Sequence, residues 1–203
     1  MRGSQGNLLV SYGGSAHKTM CRWLLEKGGI SSMSATFKMG HCSSPVSLNP
    51  GINKILYIYA NPANAILSFL RREEAQKGWM VKHCKHIGGS MSGMNELAST
   101  HGLSIEGYIR GGYDVMLLHR HLNQWFKGRN RSSILMVKYE EIWKNKDLIC
   151  EWLGVTPSGF PVQKKRRSDW TRNKRGAGLA MILQNAMELY YMIPPVIIRP
   201  PTD

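Results

Sequence analysis

At 203 residues, with 42% apolar and 20% charged residues, the chain is long enough to bury a core and too apolar to be disordered. Its 27 Lys and Arg against 13 Asp and Glu give a net charge of +14, which points to an anionic partner: nucleic acid, a phosphorylated cofactor or an acidic surface. No run of 18 apolar residues occurs and Leu8-Leu9-Val10 is too short for a signal-peptide core, so neither a membrane span nor secretion is expected, and the reading is a soluble, cytoplasmic protein.

In chain order, Asn7 to Tyr12 reads as a short buried strand ending at Gly13-Gly14. A helix follows from about Thr19 to Lys27, closed by Gly28-Gly29. Lys54 to Tyr59, rich in β-branched and aromatic residues, is a second strand, and Asn61-Pro62 opens a helix through Ala65, Ile66, Phe69 and Leu70. Gly88 to Gly93 reads as a flexible loop. The spacing is helical from Ile105 to Lys127, with a break signalled at Gly111-Gly112. Ser133 to Lys138 is a third strand, Tyr139 to Leu153 a helix ended by Gly154, and Ala177 to Ile193 a last helix. The organisation is one domain over 1–193 and a Pro-rich tail over 194–203. Alternating strands and helices give an α/β class with a parallel sheet covered by helices on both faces. Ligands in such sheets sit beyond the carboxyl ends of strands, where helix N-termini face anions.

Three features bear on chemistry. Ser11-Tyr12-Gly13-Gly14-Ser15-Ala16-His17-Lys18-Thr19 combines glycines, a lysine and a hydroxyl at a helix start, the ingredients of an anion loop. It is not a Walker A loop, because His17 and Tyr12 stand where that pattern needs glycine. The segment Lys164 to Arg175 holds seven basic residues and one acid, +6 of the total charge. Cys21, Cys42, Cys84 and Cys150 are scattered without a C-x-x-C pair, so neither a disulfide framework nor a zinc cluster is indicated. His83-Cys84-Lys85-His86 reads as a solvated loop, and Met181 and Met187 as core.

Read together, five segments resemble the sulfotransferase family. Ser11 to Glu26 is similar to its phosphosulfate loop and following helix, with one residue inserted. Lys54-Ile55-Leu56-Tyr57-Ile58-Tyr59-Ala60-Asn61-Pro62-Ala63-Asn64-Ala65-Ile66-Leu67-Ser68 is similar to K-I-I-Y-x-x-R-N-P-x-D-A-x-x-S. His121-Leu122-Asn123-Gln124-Trp125 resembles H-x-x-x-W. Ile134 to Glu141 and Glu151-Trp152-Leu153-Gly154 resemble V-L-x-x-x-Y-E-D-L and E-F-L-G, and Lys174-Arg175-Gly176-Ala177-Gly178 resembles R-K-G-x-x-G. The resemblance implies the P-loop nucleotide-hydrolase-like, three-layer sulfotransferase fold. It also implies transfer of a sulfuryl group from 3′-phosphoadenosine 5′-phosphosulfate to a hydroxyl or amine of a small molecule or glycan.

On that resemblance Gly14, Ser15, Ala16, His17, Lys18 and Thr19 surround the 5′-phosphosulfate, Ser68 meets the 3′-phosphate, and Lys174, Arg175 and Gly176 close over it. Tyr139 joins the cofactor site. Lys18 and His41 are the catalytic candidates, His41 as the base that takes the acceptor proton, with His17 as its rival. No metal is expected. The chain departs from the pattern at Gly13, Gly14 and Ala16 in the loop, at Met20 in place of the adenine-stacking tryptophan, and at Ala60 and Asn64 in place of arginine and aspartate. Arg71 and Arg72 are candidates to replace the lost cation. The alternative, drawn from these departures, is a catalytically lapsed module of the same fold that binds nucleic acid or an acidic polymer through Lys164 to Arg175.

Overall fold

The computed structural model describes residues 6–13, 17–30, 41, 52–128, 132–163 and 168–201, and for His17 the backbone alone. The chain divides into two compact units, one of Met1–Ala60, Lys127–Lys164 and Pro194–Asp203, the other of Asn61–Phe126 and Lys165–Ile193.

The first unit carries a four-stranded open sheet in the order β1-β2-β3-β4, formed by Gly6–Val10, Ile52–Tyr59, Ser133–Lys138 and Val196–Arg199. The first three strands are parallel, with Val10 opposite Tyr57 and Tyr59 opposite Lys138. Their carboxyl ends therefore share one edge. β4 is antiparallel to β3, with Leu135 opposite Ile198. The segment expected to be a Pro-rich tail thus supplies the fourth strand. Pro194 and Pro195 donate no ladder hydrogen bond, but their carbonyls accept from the Tyr59 hydroxyl at 2.7 Å and the Lys138 N–H at 2.9 Å, which holds the strand in place.

Parallel strands buried on both faces read as continuous apolar runs, and β2 is buried at every position from Ile55 to Tyr59. On one face Leu9, Leu56, Ile58, Leu135 and Val137 pack with Met20, Trp23 and Leu24 of α1 (His17–Glu26) and with Ile149, Cys150 and Leu153 of α7 (Lys146–Leu153). The mostly parallel α/β class is as expected from the alternation of patterns. Gly28 ends α1 at φ 71°, with Gly28 N–H donating to Leu25 and Gly29 N–H to Leu24 at 2.7 Å. Gly154 closes α7 in the same way, at φ 72° with Val155 N–H on the Cys150 carbonyl. The expected helix from Tyr139 begins instead as a 3₁₀ turn, Tyr139–Glu141, and the α-helix starts at Lys146.

The second unit is helical. α2 (Pro62–Ala75) is capped by Asn61, whose side chain accepts from Asn64 N–H at 3.2 Å, and Pro62 occupies its first turn. α3 (Trp79–His86) and α4 (Met91–Glu96) follow, then a π-helical turn over Leu97–His101. His83 and Cys84 are buried in α3 rather than solvated, and α4 begins inside the stretch read as a flexible loop. The helical pattern from Ile105 to Lys127 resolves into α5 (Ile105–Gly111) and α6 (Leu118–Lys127), separated after Gly112 at φ 76°. The last helix is likewise two, α8 (Gly176–Ile182) and α9 (Gln184–Met192), broken at Leu183; Met187 is core, but Met181 is 71% exposed. Two carboxylates, buried Glu73 and half-buried Asp114, organise the unit. Glu73 accepts the Gly78 and Met80 N–H groups at 2.7 Å each, capping α3, and Asp114 accepts from Tyr108, Met116 and Leu118, capping α6.

Candidate functional site

In the first unit, the carboxyl edge of the sheet gathers several of the residues singled out from the sequence. Leu8, Leu9 and Val10 bury β1, and the chain leaves it through Ser11 and Tyr12, both fully buried. The Ser11 hydroxyl accepts the Gly13 N–H at 3.2 Å, and Gly13 adopts φ 99°, a backbone state that favours glycine. Tyr12 donates its hydroxyl to the Ala60 carbonyl, tying the end of β1 to the end of β2. The resulting turn delivers the chain to α1, whose first residues include Lys18 and Thr19, both exposed. A cation and a hydroxyl in the first turn add to the positive end of the helix dipole. Gly14, Ser15 and Ala16 lie outside the described residues, as does the side chain of His17.

His41 is held at this same edge. Its Nδ1 lies 2.6 Å from the Ser11 backbone carbonyl. A carbonyl oxygen accepts and does not donate, so Nδ1 carries a proton, and whenever the ring is neutral Nε2 is its acceptor nitrogen. The sequence placed His41 only by its distance from β2; the tertiary fold brings it back to the end of β1, 30 residues away. Tyr139 follows β3 directly, half-buried and edge-on to Trp143 at 5.2 Å between ring centres. Beside it, burial lowers the Lys138 ammonium from its ordinary value, and the neighbouring Glu140 and Glu141 oppose that shift. Met20 is fully buried in the apolar cluster of α1, so it contributes to the core and offers no face for stacking on a base.

In the second unit, Ser68 is buried on α2, one turn beyond Asn64. The Asn64 side-chain oxygen accepts the Trp170 N–H at 2.7 Å, fastening the 3₁₀ turn Trp170–Arg172 to α2. This asparagine is a tether and needs only a neutral acceptor. The same turn leads into Lys174-Arg175-Gly176. Lys174 is exposed, while the Arg175 guanidinium pairs with Glu106. Gly176 N–H donates to the Asn173 carbonyl at 2.8 Å, and a β-carbon on Gly176 would come within 1.8 Å of the Trp170 carbonyl. That N–H is already engaged, and the glycine is required by a close backbone approach. Lys164 to Arg167 lie outside the described residues.

Sequence reading missed Glu73 and Asp114, although each lies within seven residues of the N–H groups it accepts. It also missed the cavity of about 640 Å³ in the second unit, between α2, the start of α5 and the 168–175 turn. Among the described residues no cluster of three or more His, Cys, Asp or Glu is placed to hold a metal, and no helix is long and apolar enough to cross a membrane. Comparison with protein-family models, with curated proteins and with solved structures returned no match.

Proposed function

We propose that the protein is a sulfotransferase-like enzyme that passes a sulfuryl group from 3′-phosphoadenosine 5′-phosphosulfate to a hydroxyl or amine acceptor. The observation that carries this reading is the seating of His41 on the Ser11 carbonyl at the carboxyl edge of the parallel sheet. It joins, within one unit, an imidazole with a defined tautomer to a strand–turn–helix whose first helical turn bears Lys18 and Thr19.

The residues present suit the phosphosulfate end of the donor better than its 3′-phosphate end. At the first, exposed Lys18 and Thr19 sit in the opening turn of α1. At the second, Ala60 stands where the resemblance places an arginine. When bound, the donor supplies a sulfuryl group on a phosphate leaving group, so the protein's task is positioning, charge stabilisation and removal of one proton. Lys18 and Thr19 hold anionic oxygens at the helix start. His41 accepts the acceptor proton at Nε2, and its Nδ1–H bond to Ser11 keeps the ring oriented as the imidazolium forms.

Calorimetry of the full chain with 3′-phosphoadenosine 5′-phosphate tests the reading. Micromolar binding is expected, with His41→Ala binding normally but transferring sulfuryl groups about 10²–10⁴-fold more slowly in single turnover. Absence of binding at millimolar ligand would overturn it. That outcome would favour the second reading, a lapsed binding module of the same fold, which draws its support from the burial of Met20 and the loss of charge at Ala60.

A further inference from the structure

The cavity of the second unit has an apolar lining that the proposed transfer chemistry does not use. Its apolar lining comes from Leu67 and Leu70 of α2 together with Leu103 and Ile105, and its volume of about 640 Å³ is that of a small-molecule site. Leu67 and Leu70 are buried, so this wall belongs to the packed interior of α2 rather than to a surface patch.

Charge around that lining is unevenly spent. Arg172 and Arg175 both line the cavity, but Arg172 Nε pairs with Asp169 at 3.2 Å and Arg175 with Glu106. Two lining cations remain, Arg71 on α2 and Lys77 just beyond its end, and neither has an ion pair among the described residues. A single further carboxylate, Glu74, offsets them in part. Arg71 follows Leu70 directly, so the α2 backbone brings a planar, five-donor cation to the margin of an apolar wall. The Asn173 amide, whose oxygen already accepts the Arg175 N–H at 2.9 Å, brings further N–H donors to the same lining. An apolar wall, a surplus cation with fork geometry and an amide donor together suit one ligand chemistry, an apolar body bearing a single oxyanion.

We propose that this cavity binds a small amphipathic oxyanion, an apolar ring or short chain carrying one sulfate, sulfonate, phosphate or carboxylate, with the apolar body against Leu67, Leu70, Leu103 and Ile105 and the oxyanion on Arg71. Arg71 and Arg175 are residues that the resemblance brings toward the 3′-phosphate, but the proposal needs no sulfuryl transfer, and neither Lys18 nor His41 lines the cavity. The test is calorimetric titration of the full chain with naphthalene-2-sulfonate, beside 2-naphthol as a neutral analogue of similar size. Saturable one-to-one binding is expected, about tenfold or more weaker for 2-naphthol and for Arg71→Gln, and unchanged in Lys18→Ala and in the surface control Arg120→Gln. Should Arg71→Gln fail to fold by circular dichroism, Lys77→Gln carries the test, with a loss of about threefold expected. No saturation at millimolar sulfonate would overturn the proposal. So would equal affinity for 2-naphthol, or the same loss of affinity in Lys18→Ala or Arg120→Gln as in Arg71→Gln.

Discussion

The Asp114 carboxylate gives the sharpest test of how the helical unit is held together. Its Oδ1 accepts the Tyr108 hydroxyl at 2.9 Å and the Met116 N–H at 3.1 Å, and its Oδ2 accepts the Leu118 N–H at 2.6 Å. Tyr108, Met116 and Leu118 are all fully buried, so Asp114→Ala strands three donors with no route to water. At about 1–3 kcal/mol for each buried donor left unmade, less the cost of burying the carboxylate that the substitution removes, the net loss is about 3–5 kcal/mol. For a chain of this length that is a fall in Tm of about 6–20 °C. Asp114→Asn keeps one acceptor oxygen but turns an amide N–H toward the Leu118 N–H, so it should cost about 1–2 kcal/mol. Burial raises the Asp114 carboxyl above its ordinary value, with the hydrogen bonds from Tyr108, Leu118, His119 and Met116 opposing the shift. The folded state therefore binds this proton more tightly than the unfolded chain does. Stability owed to that proton is complete below the ordinary aspartate value and is lost as pH rises through the raised one. Urea denaturation of wild type and both variants across pH 3–7 reads this directly. The stability advantage of wild type over Asp114→Asn should be largest in acid and shrink as pH rises. A loss below about 1 kcal/mol in Asp114→Ala, or an advantage that grows with pH, would refute the reasoning.

Three further outcomes follow from particular contacts. Lys18→Ala should weaken 3′-phosphoadenosine 5′-phosphosulfate binding by about 1.5–3 kcal/mol in a calorimetric titration while leaving the melting temperature unchanged, because Lys18 is exposed. Gly176→Ala should destabilise the chain by about 3 kcal/mol in urea denaturation, since its β-carbon meets the Trp170 carbonyl, and a variant as stable as wild type would refute that approach. Ala60→Arg, which by sequence would restore a phosphate-binding arginine, should instead lower stability by about 3 kcal/mol or more: Ala60 is fully buried, and its carbonyl is the acceptor for Tyr12. Tighter cofactor binding at undiminished stability would refute this last expectation.

The sequence by itself determined those features that rest on local patterns. Continuous apolar runs marked β1, β2 and β3 as buried parallel strands, and Asn61-Pro62, Gly28 and Gly154 marked helix ends, because capping and left-handed closure depend on a few adjacent residues. Helix breaks inside long periodic stretches were less legible. Gly112 announced one, but nothing in the residues around Leu183 distinguishes α8 and α9 from a single helix. Val196–Arg199 read as a tail because four residues flanked by prolines carry no strand signal, and pairing with β3 supplied what propensity lacked. The candidate site divides along the same line. The candidate anion loop is a run of residue types, whereas the seating of His41 on Ser11, the fastening of Trp170 to Asn64 and the cavity between α2 and the 168–175 turn each join residues far apart in the chain. Such contacts form only when the whole chain closes on itself and buried polar groups find partners, so the tertiary structure alone decided them.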